Sequence, residues 1–237
     1  MQLPEVDRIA RTALYEGYVL YPRRCDTAEN RLRWSFGTVL PAACVDKGRV
    51  GERSAVHTEC LLESTREVSL EVEVRFLRPG SPTYQQAGSA GWQDGVENRA
   101  AIAHIALDTL LARPCVRAIE REGLEAVATV TAVRADEHLT RIAVTVRNAT
   151  QLASDTPRLR ETAALHALLS CHIVLRVHGD ARWISIAVPP RRAASAALTC
   201  RNEGLWPALV SDDDSVVLAS PIILEDHPHF SSVPRPN

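Results

Sequence analysis

Thiol and imidazole side chains are the first candidates for chemistry in this sequence, because zinc and nickel prefer these donors. They occur as His57-x-x-Cys60, as the adjacent pair Cys171-His172 and as Cys200. Successive side chains of a strand point to opposite faces, so neither local pair can chelate a metal if it lies on a strand. Because free cysteine is also a common core residue, His57, Cys60, His172 and Cys200 are weak metal candidates.

Carboxylates and imidazoles also occur together in the segments 212–214 (DDD) and 226–229 (DHPH). Both segments lie in predicted loops, where solvated turns are the better interpretation. The sequence has no nucleophile elbow, phosphate loop, dinucleotide fingerprint or Cys-x-x-Cys pair. We therefore expect a non-catalytic protein without a cofactor. The competing hypothesis, a metal-dependent hydrolase, requires the four His and Cys candidates to converge around a cleft.

Charge and composition exclude several classes of function. The 237 residues include 27 basic and 29 acidic side chains, which gives a formal net charge of -2. No basic face is expected, so we do not expect nucleic-acid binding. The segment 1–7 has no leader-like pattern, and no apolar run approaches the roughly 20 residues that span a bilayer. We expect a cytoplasmic protein without membrane insertion, with its six cysteines reduced.

Alternating apolar and polar residues predict several strands. Residues 31–40 have the period of two that is typical of a half-buried strand. Three hairpins are predicted around short polar turns, with arms at residues 56–62 and 67–77, 127–133 and 141–146, and 173–177 and 183–188. Residues 205–210 and 216–224 predict two further strands.

Helical spacing and breaker residues place the remaining elements. Apolar residues from Val6 to Leu14 predict an N-terminal helix that ends near Gly17. Short helices are predicted over 102–110, 161–169 and 191–199. The segment 79–95 is predicted to be a flexible loop, and the proline-rich tail 226–237 is predicted to be frayed. The sequence thus predicts one α+β domain over 1–237, mainly antiparallel β and sandwich-like, with short helical inserts.

A block rich in aromatic and charged residues spans 14–37, and a smaller block spans 200–206. Tyrosine, tryptophan and arginine are enriched at binding hot spots, which makes these blocks candidate partner-binding surfaces. The alternative is structural: the rings cap the core and the arginines are solvated or pair with Glu16 and Glu59. The candidate partner-binding residues are Tyr15, Glu16, Tyr18, Tyr21, Asn30, Arg31, Arg33, Trp34, Arg201, Asn202 and Trp206.

These blocks carry a resemblance to a known family. The segments 14–22 (LYEGYVLYP) and 30–37 (NRLRWSFG) resemble the signature of an uncharacterised protein family encoded beside uptake nickel-iron hydrogenases and their maturation factors. The resemblance continues in order along nearly the whole chain. It includes 58–60 (TEC), 74–77 (VRFL), 92–93 (WQ) with 96–97 (VE), 146–150 (VRNAT), 200–202 (CRN), 206–207 (WP) and 220–224 (SPIIL).

The resemblance implies an association with a hydrogenase and does not imply a defined reaction. The expected function is that of an accessory protein that assists assembly, maturation or operation of a nickel-iron hydrogenase through protein-protein contacts. The expected partner is a hydrogenase subunit or maturation factor. The alternative to be distinguished, besides the hydrolase, is a generic β-sandwich interaction module unrelated to hydrogenases.

Overall fold

The computed structural model describes residues 3–19, 37–45, 51–65, 67–79, 95–153 and 160–228. Ten strands, four helices and one 3₁₀ turn lie in these ranges, none of the helices being long and apolar enough to cross a membrane. The helices are α1 (Leu3–Val19), α2 (Leu107–Ala112), α3 (Arg160–Leu165) and α4 (Ala194–Leu198), and the 3₁₀ turn spans Ala42–Cys44. The strands are β1 (Ala55–Ser64), β2 (Ser69–Pro79), β3 (Gly95–Ala106), β4 (Cys115–Arg121), β5 (Leu124–Arg134), β6 (Leu139–Asn148), β7 (Leu169–His178), β8 (Ala181–Ile184), β9 (Trp206–Leu209) and β10 (Val216–Ser220).

The strands form two antiparallel five-stranded sheets. The first sheet has the order β4-β5-β6-β1-β8, and the second has the order β3-β2-β7-β10-β9. Apolar residues from the inner faces of both sheets form one continuous core, which includes Val56, Val144, Val74 and Leu175. The predicted α+β, sandwich-like fold is therefore confirmed.

Two of the predicted hairpins are wrong, because their two strands do not pair with each other. β1 and β2 both exist, but β1 pairs with β6 and β8 while β2 pairs with β3 and β7. β7 and β8 also belong to different sheets. The alternation pattern shows that a strand has an apolar face, but it does not tell whether the next strand pairs beside it or packs across the core. The predicted hairpin of β5 with β6 is confirmed, and the two further predicted strands are present as β9 and β10, which pair with each other.

The helix predicted over 102–110 is wrong for its first half, because residues 95–106 form β3 and only Leu107–Ala112 form α2. The pairing of β2 with β3 shifts between Val72 and Glu73, where Ile102 is an extra residue on β3. Such a β-bulge resets the alternation of a strand. Ile102 and Ile105 consequently both pack on the core although they are three residues apart. The bulge thus mimics helical spacing in the sequence.

Helices cover parts of the outer sheet faces. The predicted N-terminal helix is confirmed as α1, which buries Val6, Ile9, Ala10 and Ala13 in a cluster on the outer face of the second sheet with Val174, Val210, Val216 and Leu218. These α1 positions follow the spacing of an apolar helical stripe. α4 lies on the first sheet, where Ala193 and Ala197 pack with Leu61, Leu139 and Ile184. α3 is shorter than predicted, because Leu169 already begins β7.

Three further predicted segments lie partly outside the residues that the structure describes. Within the predicted strand 31–40, residues 31–36 lie outside the described ranges, and Val39 forms isolated bridges rather than a strand. The predicted loop 79–95 also lies outside them between Pro79 and Gly95. Residues 226–228 of the predicted frayed tail are tied down, since the His227 amide donates to the Leu209 carbonyl at 2.7 Å.

Arg75 is buried between α1 and the second sheet, with only 1% of its side chain exposed. Its guanidinium donates to the Asp7 carboxylate on α1 at 2.5 Å and to Glu73 beside it on β2. Asp7 also faces Arg99 and Arg176, each with its closest nitrogen 3.6 Å away. A buried guanidinium without a partner would strongly destabilise the fold, so these contacts fix where α1 docks.

Asp7→Asn should destabilise the fold by roughly 1 to 2 kcal/mol at neutral pH, less than for a fully buried pair because the Asp7 side chain is 43% exposed. Partial burial opposes ionisation, but the hydrogen bond and charge of Arg75 with the charges of Arg99 and Arg176 leave the pKa of Asp7 below its usual value. The stabilisation is thus fully present above the unfolded-state pKa of about 3.9 and is lost as the pH falls through the lower folded-state pKa. Urea unfolding at a series of pH values from pH 7 to pH 2.5 measures this loss of stability in the two proteins.

The matched control is Glu137→Gln, which makes the same carboxylate-to-amide change in the exposed turn between β5 and β6. The control should keep the stability of the unsubstituted protein. Equal stability of Asp7→Asn and the unsubstituted protein at pH 7 would contradict the role of Asp7.

Candidate functional site

The four predicted metal candidates do not converge. His57 lies on β1 with its ring turned away from the core, and its Nδ1 is 2.8 Å from the Thr145 hydroxyl. Cys60 of the same strand faces the core between the sheets. The predicted opposite placement of His57 and Cys60 is confirmed. His172 lies in the other sheet, on β7, so the cleft that the hydrolase hypothesis requires is not formed by these residues.

Burial keeps the two core thiols Cys60 and Cys171 in their neutral form. Burial raises the pKa of Cys60 to about 12, and the neighbouring Cys200 and Glu59 add to this effect against a hydrogen bond from Thr58. Burial alone raises the pKa of Cys171 to about 12. Both thiols are consequently protonated at neutral pH and act as apolar core residues.

Most of the predicted partner-binding block lies outside the part of the chain that the structure describes. Tyr21, Asn30, Arg31, Arg33 and Trp34 fall between the described ranges 3–19 and 37–45. Three further candidates, Tyr15, Glu16 and Tyr18, belong to α1, but their side chains are not described. Partner binding by this block therefore stays a prediction.

Arg201 and Asn202 connect two of the sequence segments that carry the family resemblance. The Asn202 side-chain oxygen accepts hydrogen bonds from the Thr58 hydroxyl at 2.8 Å and from the Glu59 amide at 3.1 Å. The Arg201 amide donates to the Glu59 carboxylate at 2.8 Å. The segments 58–60 and 200–202 thus hold each other in place. This gives Asn202 a structural role and leaves the exposed Arg201 side chain at the surface.

Trp206 is the described member of the predicted set with an exposed aromatic ring. It is 42% exposed and begins β9, the strand at one edge of the second sheet. β9 pairs with β10 on one side, and no strand of the described chain pairs with its other side. The backbone groups of Leu209 on that side bond to Asp226 and His227, so the exposed Trp206 ring is the feature of β9 that is suited to protein contacts.

A shallow cleft lies between β9 and the segment that follows β8. It encloses about 190 Å³ including space open to solvent, and its lining residues include Ile186, Pro207 and Asp226. Pockets for small-molecule ligands typically measure about 300–1,000 Å³. The Asp226 carboxylate is also occupied, since it accepts hydrogen bonds from the Leu209 amide at 2.8 Å and from the Ser185 hydroxyl. The cleft is consequently too small for such a substrate, and its carboxylate is structural.

The acidic segment 212–214 forms the turn between β9 and β10. The Asp213 carboxylate accepts hydrogen bonds from the backbone and side chain of Ser215. Asp214 lies 3.3 Å from the Nε2 atom of His227. These contacts agree with the interpretation as a turn and join the segment 226–228 to it.

One group of metal-ligating side chains was missed by the sequence analysis. Glu71, His104 and His178 each offer one ligand atom, and these atoms lie within 4.8 Å of one another on the outer face of the second sheet. The Nε2 atom of His178 is 3.4 Å from Glu71 Oε2. The two imidazole rings stack with centroids 5.1 Å apart and planes inclined by 30°. It is the one such group of three or more among the described residues.

Strand register brings these three residues together from distant parts of the sequence. Glu71 on β2 stands opposite His104 on β3, and Ser69 on β2 stands opposite His178 on β7. The bulge at Ile102 is essential, because uninterrupted alternation from Glu73 and its partner would turn His104 toward the core. The small Ser69 side chain leaves space for the two rings and bonds to His104 Nε2 at 3.1 Å. A correct prediction of β3 and its bulge would have been needed to find this group.

Comparison with known proteins supplies no family assignment. No protein-family model matches the chain, and no curated protein matches its sequence.

His172 should make stability depend on pH, because its ring is fully buried between α1 and the outer face of the second sheet, near Arg75 and Ala13. Burial lowers the pKa of His172 to about 4, and the charge of Arg75 acts in the same direction, while the Ser170 carbonyl partly opposes it. As the pH falls below the unfolded-state value of about 6.5, the unfolded chain takes up a proton that the folded protein excludes. The protein should therefore lose about 3 kcal/mol of stability between pH 6.5 and pH 4 from this residue.

The comparison for this prediction is His172→Gln, which stays neutral throughout this pH range. Its urea-unfolding free energy should change less between pH 6.5 and pH 4 than that of the unsubstituted protein. Parallel pH profiles for the two proteins would show that His172 does not titrate as the structure requires.

Proposed function

We propose that this protein is a non-catalytic accessory factor that assists the assembly, maturation or operation of a nickel-iron hydrogenase by binding one of its subunits or maturation factors. The observation that carries the proposal is the ordered series of segments, from 14–22 to 220–224, that resembles a family encoded beside such hydrogenases. The absence of a converged site among His57, Cys60, His172 and Cys200 is consistent with a role through binding.

The structure supplies a specific candidate surface for this role. Trp206 and Pro207, one of the resembling segments, lie on the edge strand β9, and the Trp206 ring is not needed to fill the core. Burying a large aromatic side chain in a partner is a typical source of binding energy. The interlocked segments 58–60 and 200–202 hold the chain that leads into β9. We therefore assign Trp206 and the exposed Arg201 side chain to the partner surface.

The first test is genetic. Deletion of the gene in its native host should reduce the amount of mature hydrogenase while precursor subunits persist, as seen by immunoblotting and hydrogenase activity. The tagged protein should co-purify with a hydrogenase subunit or maturation factor. Unchanged processing and activity after deletion would reject the hydrogenase role in favour of an unrelated interaction module.

The second test concerns the surface. Trp206→Ala should weaken binding to the co-purified partner roughly 30-fold, the equivalent of a hot-spot loss of about 2 kcal/mol. The matched control is Val116→Ala, because Val116 is also exposed and lies on β4 at an edge of the first sheet. Calorimetry with the purified proteins measures both affinities. Equal affinities for the two variants would remove β9 from the partner surface.

A further inference from the structure

The outer face of the second sheet presents a combination of donors that goes beyond the proposed partner binding. Glu71, His104 and His178 supply one carboxylate and two imidazoles from three adjacent strands. From this geometry we infer that the three side chains form a binding site for a divalent first-row transition-metal ion of the zinc type. The site lies toward the β3 edge of the sheet, whereas Trp206 lies on β9 at the other edge.

The donor set decides the class of metal. Imidazole nitrogens suit zinc, nickel, copper and iron, whereas magnesium and calcium prefer sites built from oxygen ligands. Ligand atoms around a tetrahedral zinc ion lie roughly 3.4 Å apart, because each bond is about 2.0 to 2.2 Å long. The 3.4 Å between Glu71 Oε2 and His178 Nε2 already matches this spacing. Small side-chain rotations of His104 would complete the set.

Arg176 orients the Glu71 carboxylate. Arg176 Nη1 donates to Glu71 Oε1 at 3.1 Å, which leaves Oε2 directed toward the imidazoles. Outer partners of this kind fix a ligand in its binding orientation. The positive charge of Arg176 is shared with Asp7, 3.6 Å away, and with Glu73, 4.0 Å away. Arg176 can therefore hold Glu71 while its charge is balanced by other carboxylates.

The surroundings leave room for an ion to enter. Both histidines are exposed and Glu71 is partly exposed, so the open side of the group faces solvent. Three protein ligands with an open position are the arrangement in which water or another molecule completes the coordination of zinc. The bond between Ser69 and His104 Nε2 can be exchanged for a water bond when the ring rotates. The bound ion would then join β3, β2 and β7 at one end of the sheet.

The test uses the full chain without a polyhistidine tag, titrated with ZnCl₂ and, separately, with MgCl₂. Calorimetry should show one zinc ion per chain and no magnesium binding. Zinc at 100-fold above its Kd should raise the Tm by roughly 5 to 10 °C, because it binds only the folded arrangement. His104→Gln and His178→Gln should each weaken zinc binding roughly 100-fold or more, because losing even a residue that only orients a metal ligand lowers metal affinity about 10- to 100-fold.

The matched control is His138→Gln, which removes an exposed histidine from the turn between β5 and β6 and should bind zinc as the unsubstituted protein does. All three variants should keep the unsubstituted Tm when zinc is absent, because the substituted rings are exposed. Every cysteine remains in each variant. Zinc binding that survives His104→Gln and His178→Gln would therefore place the ion at other ligands and overturn the site, as would the absence of zinc binding by the unsubstituted protein.

Discussion

The burial of Arg75 beneath α1 is the constraint on which the outer face of the second sheet depends. A guanidinium in that position must be surrounded by carboxylates, and Asp7 and Glu73 supply them from the helix and from β2. The same helix buries an apolar stripe against Val174, Val216 and Leu218, so its docking satisfies charge and apolar burial together. Because Asp7 can meet Arg75 in one register of the helix, the ion pair selects the position of α1 that apolar packing alone would leave less defined.

The network of charges extends from α1 to the candidate metal site. Arg176 lies between Asp7 and Glu73 on one side and Glu71 on the other. Glu71 in turn faces His178 across 3.4 Å. The orientation of the carboxylate that would bind a metal thus depends on the same contacts that dock the helix. The partner surface proposed on β9 lies at the opposite edge, so the two activities can be separated by substitution.

The sequence predicts which segments form strands better than it predicts which strands pair with each other. Alternation identifies β2, β5 and β6, because each has an apolar face that packs on the core. It cannot decide whether β1 and β2 pair or face each other across the core, since both arrangements bury the same residues. The helix predicted over 102–110 has a similar origin, because the bulge at Ile102 gives a strand the spacing of a helix.

The same difference between local pattern and strand pairing applies to the candidate sites. Trp206 could be singled out from residue type alone, and the structure leaves its ring exposed. Local spacing made His57, Cys60 and His172 metal candidates, but His57 and Cys60 lie on opposite faces of β1 and His172 lies in the other sheet. Glu71, His104 and His178 are far apart in the sequence, and only the strand order β3-β2-β7 brings them together. A site formed across strands can be predicted only after their pairing is known.

The central inference is that the outer face of the second sheet binds a metal ion through a carboxylate, Glu71, that Arg176 orients. The most direct measurement is anomalous diffraction at the zinc edge from crystals grown with ZnCl₂. We expect an anomalous peak about 2.0 to 2.2 Å from Glu71 Oε2 and from one ring nitrogen each of His104 and His178, with Arg176 still bonded to Oε1. A zinc ion bound at thiols or other carboxylates, with these three side chains unliganded, would contradict it.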